Sequence, residues 1–162
     1  MILSTENADY FSEEGKSGLY SSGRLRGIIL HKILSCVDTA GDVSRAVSDA
    51  VASALLDAGD AGDAEAFLSS KIASVSSRGW FSAEGARILN ETSVIDTDGR
   101  IYRPDRVILH SDGRVTVIDY KFGAKDSSHR RQIMKYADMW RRKGHPHVSA
   151  YLWYVMSDEI VE

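Results

Sequence analysis

Residues 103–121, RPDRVILHSDGRVTVIDYK, place two aspartates and a lysine among apolar residues. Asp105 lies near one outer end of this stretch, Asp119 and Lys121 near the other. Read as two strands around a turn, the segment projects Asp119 and Lys121 to one side together with Val115 and Val117, because side chains two apart share a face. Whether Asp105 joins them depends on the turn. A two-residue Asp112-Gly113 loop pairs Asp105 with Tyr120 and sends the two acids to opposite faces. A three-residue Ser111-Asp112-Gly113 loop, with Gly113 left-handed, sets Asp105 directly across from Asp119. We expect the three-residue loop. Opposed residues have Cβ atoms roughly 5 Å apart, and two carboxylates that close repel unless a proton or a cation lies between them. A hard cation with oxygen ligands, such as Mg²⁺, suits that position. Each residue alone has a plainer reading, as a solvated aspartate at a strand end or as half of a surface ion pair with Lys121. The combination singles the segment out: Pro-Asp, thirteen residues, then Asp-x-Lys behind apolar residues.

The elements that must position these groups follow from periodicity. From Arg24, RLRGIILHKILSCV is apolar at helical spacing, with Leu30, Ile33, Leu34 and Val37 on one stripe. Residues 43–58 repeat the pattern through Val43, Val47, Val51 and Leu55, and Gly59 suits a helix stop. Asp63 suits the cap of a third helix reaching about Val75, with Phe67, Leu68 and Ile72 inward. Residues 87–95, 101–109 and 114–120 read as strands. A helix from about Ser128 to Lys143 ends at Gly144 and Pro146. The final VSAYLWYVM is apolar on both parities, as in a strand buried on both faces. The expectation is an α/β domain with N-terminal helices and a mixed sheet in the order βββαβ. Its last crossover is a right-handed connection between parallel strands. Residues 1–23, rich in Ser, Glu and Gly, read as a flexible lead-in, and 24–162 as one domain.

Bulk properties remove several functions. A formal net charge of −3 excludes a polycation, so any nucleic-acid binding needs a local basic patch. One cysteine, Cys36, excludes an internal disulfide and a four-cysteine metal site. No apolar run approaches the roughly 20 residues of a membrane span, and MILSTENADYF lacks signal-peptide features. A cytoplasmic location is expected, with no membrane partner. There is no Gly-x-x-x-x-Gly-Lys loop for ATP.

RPDRVI followed by VIDYKFG resembles the core of the PD-(D/E)XK nuclease superfamily, and more narrowly the RecB/AddA-type nuclease domain at the C-terminus of bacterial helicase–nucleases. RGIILHKIL is similar to that family's Gly-x-x-x-His helix, through Gly27 and His31. LNETSVI is similar to its first acidic strand, through Glu91, and QIMKYADMW to its Gln-x-x-x-Tyr helix, through Gln132 and Tyr136. The motifs run in the family's order over residues 24–156. RPD stands where many members have Gly-x-x-Asp, with the acid retained.

The resemblance implies a restriction-endonuclease-like core that binds Mg²⁺ or Mn²⁺. It implies that His31, Asp105, Asp119 and the main-chain carbonyl of Tyr120 ligate the ion, with Glu91 as a further candidate ligand. Lys121 would either orient and help deprotonate a water or stabilise developing negative charge; the residues leave this open. Gln132 and Tyr136, spaced i, i+4, share a helix face that the resemblance places beside the active site. Arg130 and Arg131, at the start of that helix, could hold a phosphodiester backbone. Arg141, Arg142 and Lys143 fall in its last turn, where cations suit the helix dipole in any case. The expected function is hydrolysis of DNA phosphodiesters, as the exonuclease part of a larger helicase–nuclease in repair or recombination, with helicase motor domains as partners. The alternative is a non-catalytic DNA-binding or scaffold module with the same fold.

Overall fold

A computed structural model describes residues 22–82 and 84–162. Three helices come first: α1 (Gly23–Leu34), α2 (Val43–Ala52) and α3 (Ala61–Ser74). They are followed by β1 (Ala86–Asn90), β2 (Val94–Ile95), β3 (Ile101–Tyr102), β4 (Arg106–His110) and β5 (Val115–Lys121). Helix α4 (Ser127–Arg142), β6 (Val148–Tyr154) and β7 (Glu159–Val161) complete the chain. The main sheet has the order β1-β4-β5-β6-β7, antiparallel except for the parallel β5–β6 pair that α4 connects.

The sheet is covered on both faces, and strand parity decides which residue goes where. Ile118, Tyr120, Trp153 and Val155 face the α1–α3 layer and meet Leu30, Ile33, Leu34 and Leu68. Val115, Val117, Leu152 and Tyr154 face the other way and meet Ile133, Tyr136, Met139 and Trp140 of α4. Trp80, Trp140 and Trp153 are all buried.

Several expected boundaries move. The strand expected over 87–95 breaks after Asn90, because Glu91 adopts a left-handed φ of 45° that turns the chain out of the sheet. The strand expected over 101–109 breaks at Pro104, which has no N–H for a ladder. The pieces between these breaks, β2 and β3, pair with each other as a separate ribbon. The second helix ends at Ala52 rather than 58: the N–H groups of Leu55 and Leu56 both return to the carbonyl of Ala50, and Ala54 sits at φ 60°. Gly59 lies in a 3-10 turn instead of acting as a helix stop. Asp63 is not the cap of α3; Asp60 holds that position, and Asp63 sits in the first turn paired with Arg26 at 3.3 Å. Beyond the strand expected from VSAYLWYVM, residues 157–162 supply a further strand, β7, that the expected order βββαβ did not include. The expected lead-in falls, through residue 21, outside the described residues, and Gly23 already opens α1. Among the described residues no helix is long and apolar enough to cross a membrane.

Candidate metal centre

The β4–β5 turn has the three-residue form. His110 N–H donates to the Arg114 carbonyl at 2.9 Å, leaving 111–113 as the loop, and Gly113 is left-handed at φ 90°. The ladder pairs Arg106 with Ile118, so one further step sets Asp105 opposite Asp119. On the other side, β1 pairs Asn90 with Arg106, and the next step sets Glu91 opposite Asp105, joined by Glu91 N–H to the Asp105 carbonyl at 2.9 Å. Three adjacent strands thus contribute one acid each to a single row: Glu91, Asp105, Asp119.

His31 enters this row from α1, its Nε2 lying 3.2 Å from Asp105 Oδ2. That approach depends on Gly27, one turn earlier: a Cβ there would stand 3.2 Å from the Phe122 Cβ, in the segment following β5. Donor atoms of His31, Glu91 and Asp105 all lie within 4.8 Å of one another. Asp119 stands outside this group of three. One of its oxygens accepts from Asp105 N–H at 3.3 Å and the other meets Lys121 Nζ at 3.0 Å. Asp105 in turn accepts from Tyr120 N–H at 2.7 Å. Lys121 Nζ also donates to Gln132 Oε1 of α4 at 3.1 Å.

The electrostatics follow from burial and crowding. Burial, then the neighbouring Asp105 charge, push Asp119 up to about 8, with Lys121 opposing. Burial would raise Asp105 as well, but the His31 charge and a hydrogen bond from the Asp119 carboxyl hold it below its usual value. The crowding of the two carboxyls thus drives Asp119 toward its protonated form and Asp105 toward its ionised one. Burial would lower His31, but Asp105, with smaller contributions from Asp119 and Glu91, raises it to about 8. Two crowded, buried acids beside one imidazole and one further carboxylate make a donor set that suits a divalent cation, which competes with protons for the same atoms.

The expected supporting residues divide. Gln132 reaches Lys121. Tyr136 is buried and packs edge-on against Tyr102 of the ribbon, with ring centroids 5.9 Å apart. Arg130 and Arg131 are exposed. At 3.6 residues per turn Arg130 lies about 160° around α4 from Gln132, whereas Lys135 lies about 60° from it.

Two buried charged residues escaped the sequence reading. Arg106, fully buried, directs its guanidinium into the helical layer. Asp96 of the ribbon turn pairs with Arg142 of α4. For Arg106 a signal existed: a cation directly after a candidate acid, inside an otherwise apolar strand. For Asp96, one of several acids in a polar turn, there was none.

The model of the PD-(D/E)XK nuclease superfamily matches residues 12–161 of the chain, from within the segment read as lead-in to the last strand. No curated protein matches the chain.

Proposed function

Because the chain belongs to the PD-(D/E)XK nuclease superfamily, we propose that it is a divalent-metal-dependent deoxyribonuclease whose centre is the Glu91–Asp105–Asp119 row with His31 and Lys121. The observation that carries this reading is the convergence of His31, Glu91 and Asp105 donor atoms within 4.8 Å, flanked by an acid–lysine pair at 3.0 Å. His31, Glu91 and Asp105 would hold Mg²⁺ or Mn²⁺, joined by Asp119 once it gives up its proton and by the carbonyl of Tyr120. The ion, when bound, polarises the scissile phosphate and acidifies a water. Lys121 is steered by Asp119 and Gln132, so its ammonium is fixed at the edge of the acid row. There it stabilises negative charge on the phosphodiester or orients the attacking water. Tyr120 N–H holds Asp105 in one orientation through its bond to Oδ2.

Within the superfamily we read the chain as the exonuclease part of a RecB/AddA-like helicase–nuclease acting in DNA repair or recombination. The support is the motif order, together with the close fit of Gly27 against Phe122 and the Gln132–Lys121 bond. The test is cleavage of linear and covalently closed circular DNA in Mg²⁺ or Mn²⁺. Asp119→Ala and Lys121→Ala are expected to lower cleavage by roughly a hundredfold or more while the far-ultraviolet circular dichroism stays unchanged. Undiminished cleavage by both variants removes the catalytic assignment. Attack on the closed circle removes the exonuclease assignment alone.

A further inference from the structure

Three separate chain segments supply the close donor group: α1 carries His31, the end of β1 leads into Glu91, and Asp105 precedes β4. The β1–β4 ladder fixes Glu91 against Asp105 by backbone pairing. Helix α1 has no such register. Its inner face, Ile29, Leu30, Ile33 and Leu34, packs through apolar contacts, which are non-directional and do not by themselves set a sub-ångström position along the sheet.

Besides the His31–Asp105 contact itself, the directional bonds seen among the described residues between the sheet and the segment that follows α1 come from Arg106 and its neighbour Asn90. Arg106 is 0% exposed, and each of its four hydrogen bonds goes to an uncharged oxygen. Nε donates to the Trp80 carbonyl at 3.0 Å, and Nη1 to the Val37 carbonyl at 2.7 Å and to Asn90 Oδ1 at 3.1 Å. Nη2 donates to the Asp38 carbonyl. The guanidinium also lies over the Phe81 ring, 4.3 Å from its centroid. Val37 is tied back to the end of α1, its N–H donating to the Leu34 carbonyl at 3.1 Å. Asn90 Nδ2 donates in turn to the Asp38 side chain. Arg106 is thus the neighbour of Asp105 in the chain, the ladder partner of the residue before Glu91, and bonded to the segment that ends the helix of His31. A planar guanidinium with five N–H donors makes all four bonds in one fixed geometry, whereas an ammonium has three donors on a single rotating group and cannot make them all.

We propose that Arg106 is a positioning residue that sets the spacing of His31 against Glu91 and Asp105, and through it the affinity of the site for a divalent cation; the proposal rests on the metal-site reading above. A purely structural buried arginine would cost stability when replaced but would leave the folded site's affinity alone, so the two roles separate in measurement. Mn²⁺ binding is followed by calorimetry on the whole chain, at a temperature where circular dichroism shows each variant folded. Arg106→Lys is expected to raise the Mn²⁺ dissociation constant about tenfold or more, the size of effect typical of groups that orient metal ligands. Ile72→Ala, buried in α3 away from the site, serves as the destabilised control and is expected to stay within about twofold of the parent. Should Arg106→Lys fail to fold, Asn90→Ala decides, since it removes the links from the end of β1 to Arg106 and to Asp38 while leaving the guanidinium's bonds to the three main-chain carbonyls; a weakened dissociation constant supports the proposal. A folded Arg106→Lys, or an Asn90→Ala, that binds Mn²⁺ as the parent does overturns it. An unaltered chain that takes up no Mn²⁺ overturns the metal reading itself, a result visible before any variant is made.

Discussion

Asp119 is buried against Asp105, and this makes the protein's stability respond to pH in a defined direction. The Asp119 carboxyl is raised to about 8 by burial and by Asp105, whereas in the unfolded chain it ionises near 4. Between those values the unfolded state releases a proton that the folded state keeps, so this group destabilises the fold progressively as pH rises. The slope is at most about 1.4 kcal/mol per pH unit. His31, raised to about 8, acts in the same direction: its contribution is complete below its unfolded value and is lost as pH climbs through 8. Urea unfolding in a chelator is expected to show stability falling from pH 5.5 to 8, and Asp119→Asn is expected to remove a large part of that fall. Added Mn²⁺ is expected to raise the unfolding temperature more at pH 8 than at pH 5.5, because protons and the ion compete for the same oxygens. An equal gain at both pH values would mean that the ion binds elsewhere. Asp105, Asp119 and Lys121 were legible in the sequence because strand parity and one turn length fix their relative placement. The grouping of Glu91 with His31 and Asp105 was suggested only by the family resemblance and not by periodicity, because it depends on a left-handed φ at a non-glycine residue and on the lateral position of α1, neither of which leaves a periodic trace.

The ribbon formed by β2 and β3 is the element that the sequence concealed most completely. Its residues were absorbed into two longer strands, since the apolar runs around Glu91 and Pro104 continue across the breaks. Physically it is an excursion between Glu91 and Asp105, two of the three close donors, and what anchors it comes from α4. Val94 and Tyr102 pair across the ribbon and pack inward, Tyr102 meeting Tyr136. Asp96, buried at 4% exposure, takes Arg142 as its partner and also accepts from Thr97 N–H at 2.7 Å. The opposite pair, Ile95 and Ile101, faces solvent at 61% and 67% exposure, so burial of that face contributes nothing to holding the ribbon in place. Two pairs of β residues are too few to stand alone. Removing the charged anchor should therefore loosen the ribbon without unfolding the domain. Asp96→Ala is expected to speed hydrogen exchange of the Asp96 amide, which donates to the Arg100 carbonyl at 2.8 Å, and of its ribbon neighbours by roughly tenfold. The amides of β5 and β6 are expected to stay at the parent rate, as local opening below the global transition requires. Uniform acceleration across both regions would show that the Asp96–Arg142 pair supports the whole fold.

At the scale of the molecule, a chain of net charge −3 must concentrate its cations to hold a polyanion. Helix α4 is where they collect, but its cations are not equivalent. Arg141 bonds Asp138 at 2.9 Å and the Val148 carbonyl at 3.3 Å, and Arg142 is held by Asp96. Both are committed to the protein itself. Arg130 lies across the helix from Gln132. Lys135, exposed and on the Gln132 side, is the α4 cation best placed to meet a backbone that runs past Lys121. The helix's charge excess, evident from composition, thus resolves into one useful flank once the wheel is fixed by Gln132, which the sequence alone could not orient against the sheet. Lys135→Ala is expected to weaken DNA binding in Ca²⁺, used to limit turnover, and to reduce the slope of log affinity against log salt by about 1. Arg141→Ala, whose guanidinium is already engaged, is expected to change that slope by much less. The two slopes, measured by fluorescence anisotropy between 50 and 200 mM salt, decide the matter. If Arg141→Ala flattens the slope and Lys135→Ala does not, the nucleic acid crosses the other flank of α4, away from Gln132 and Lys121.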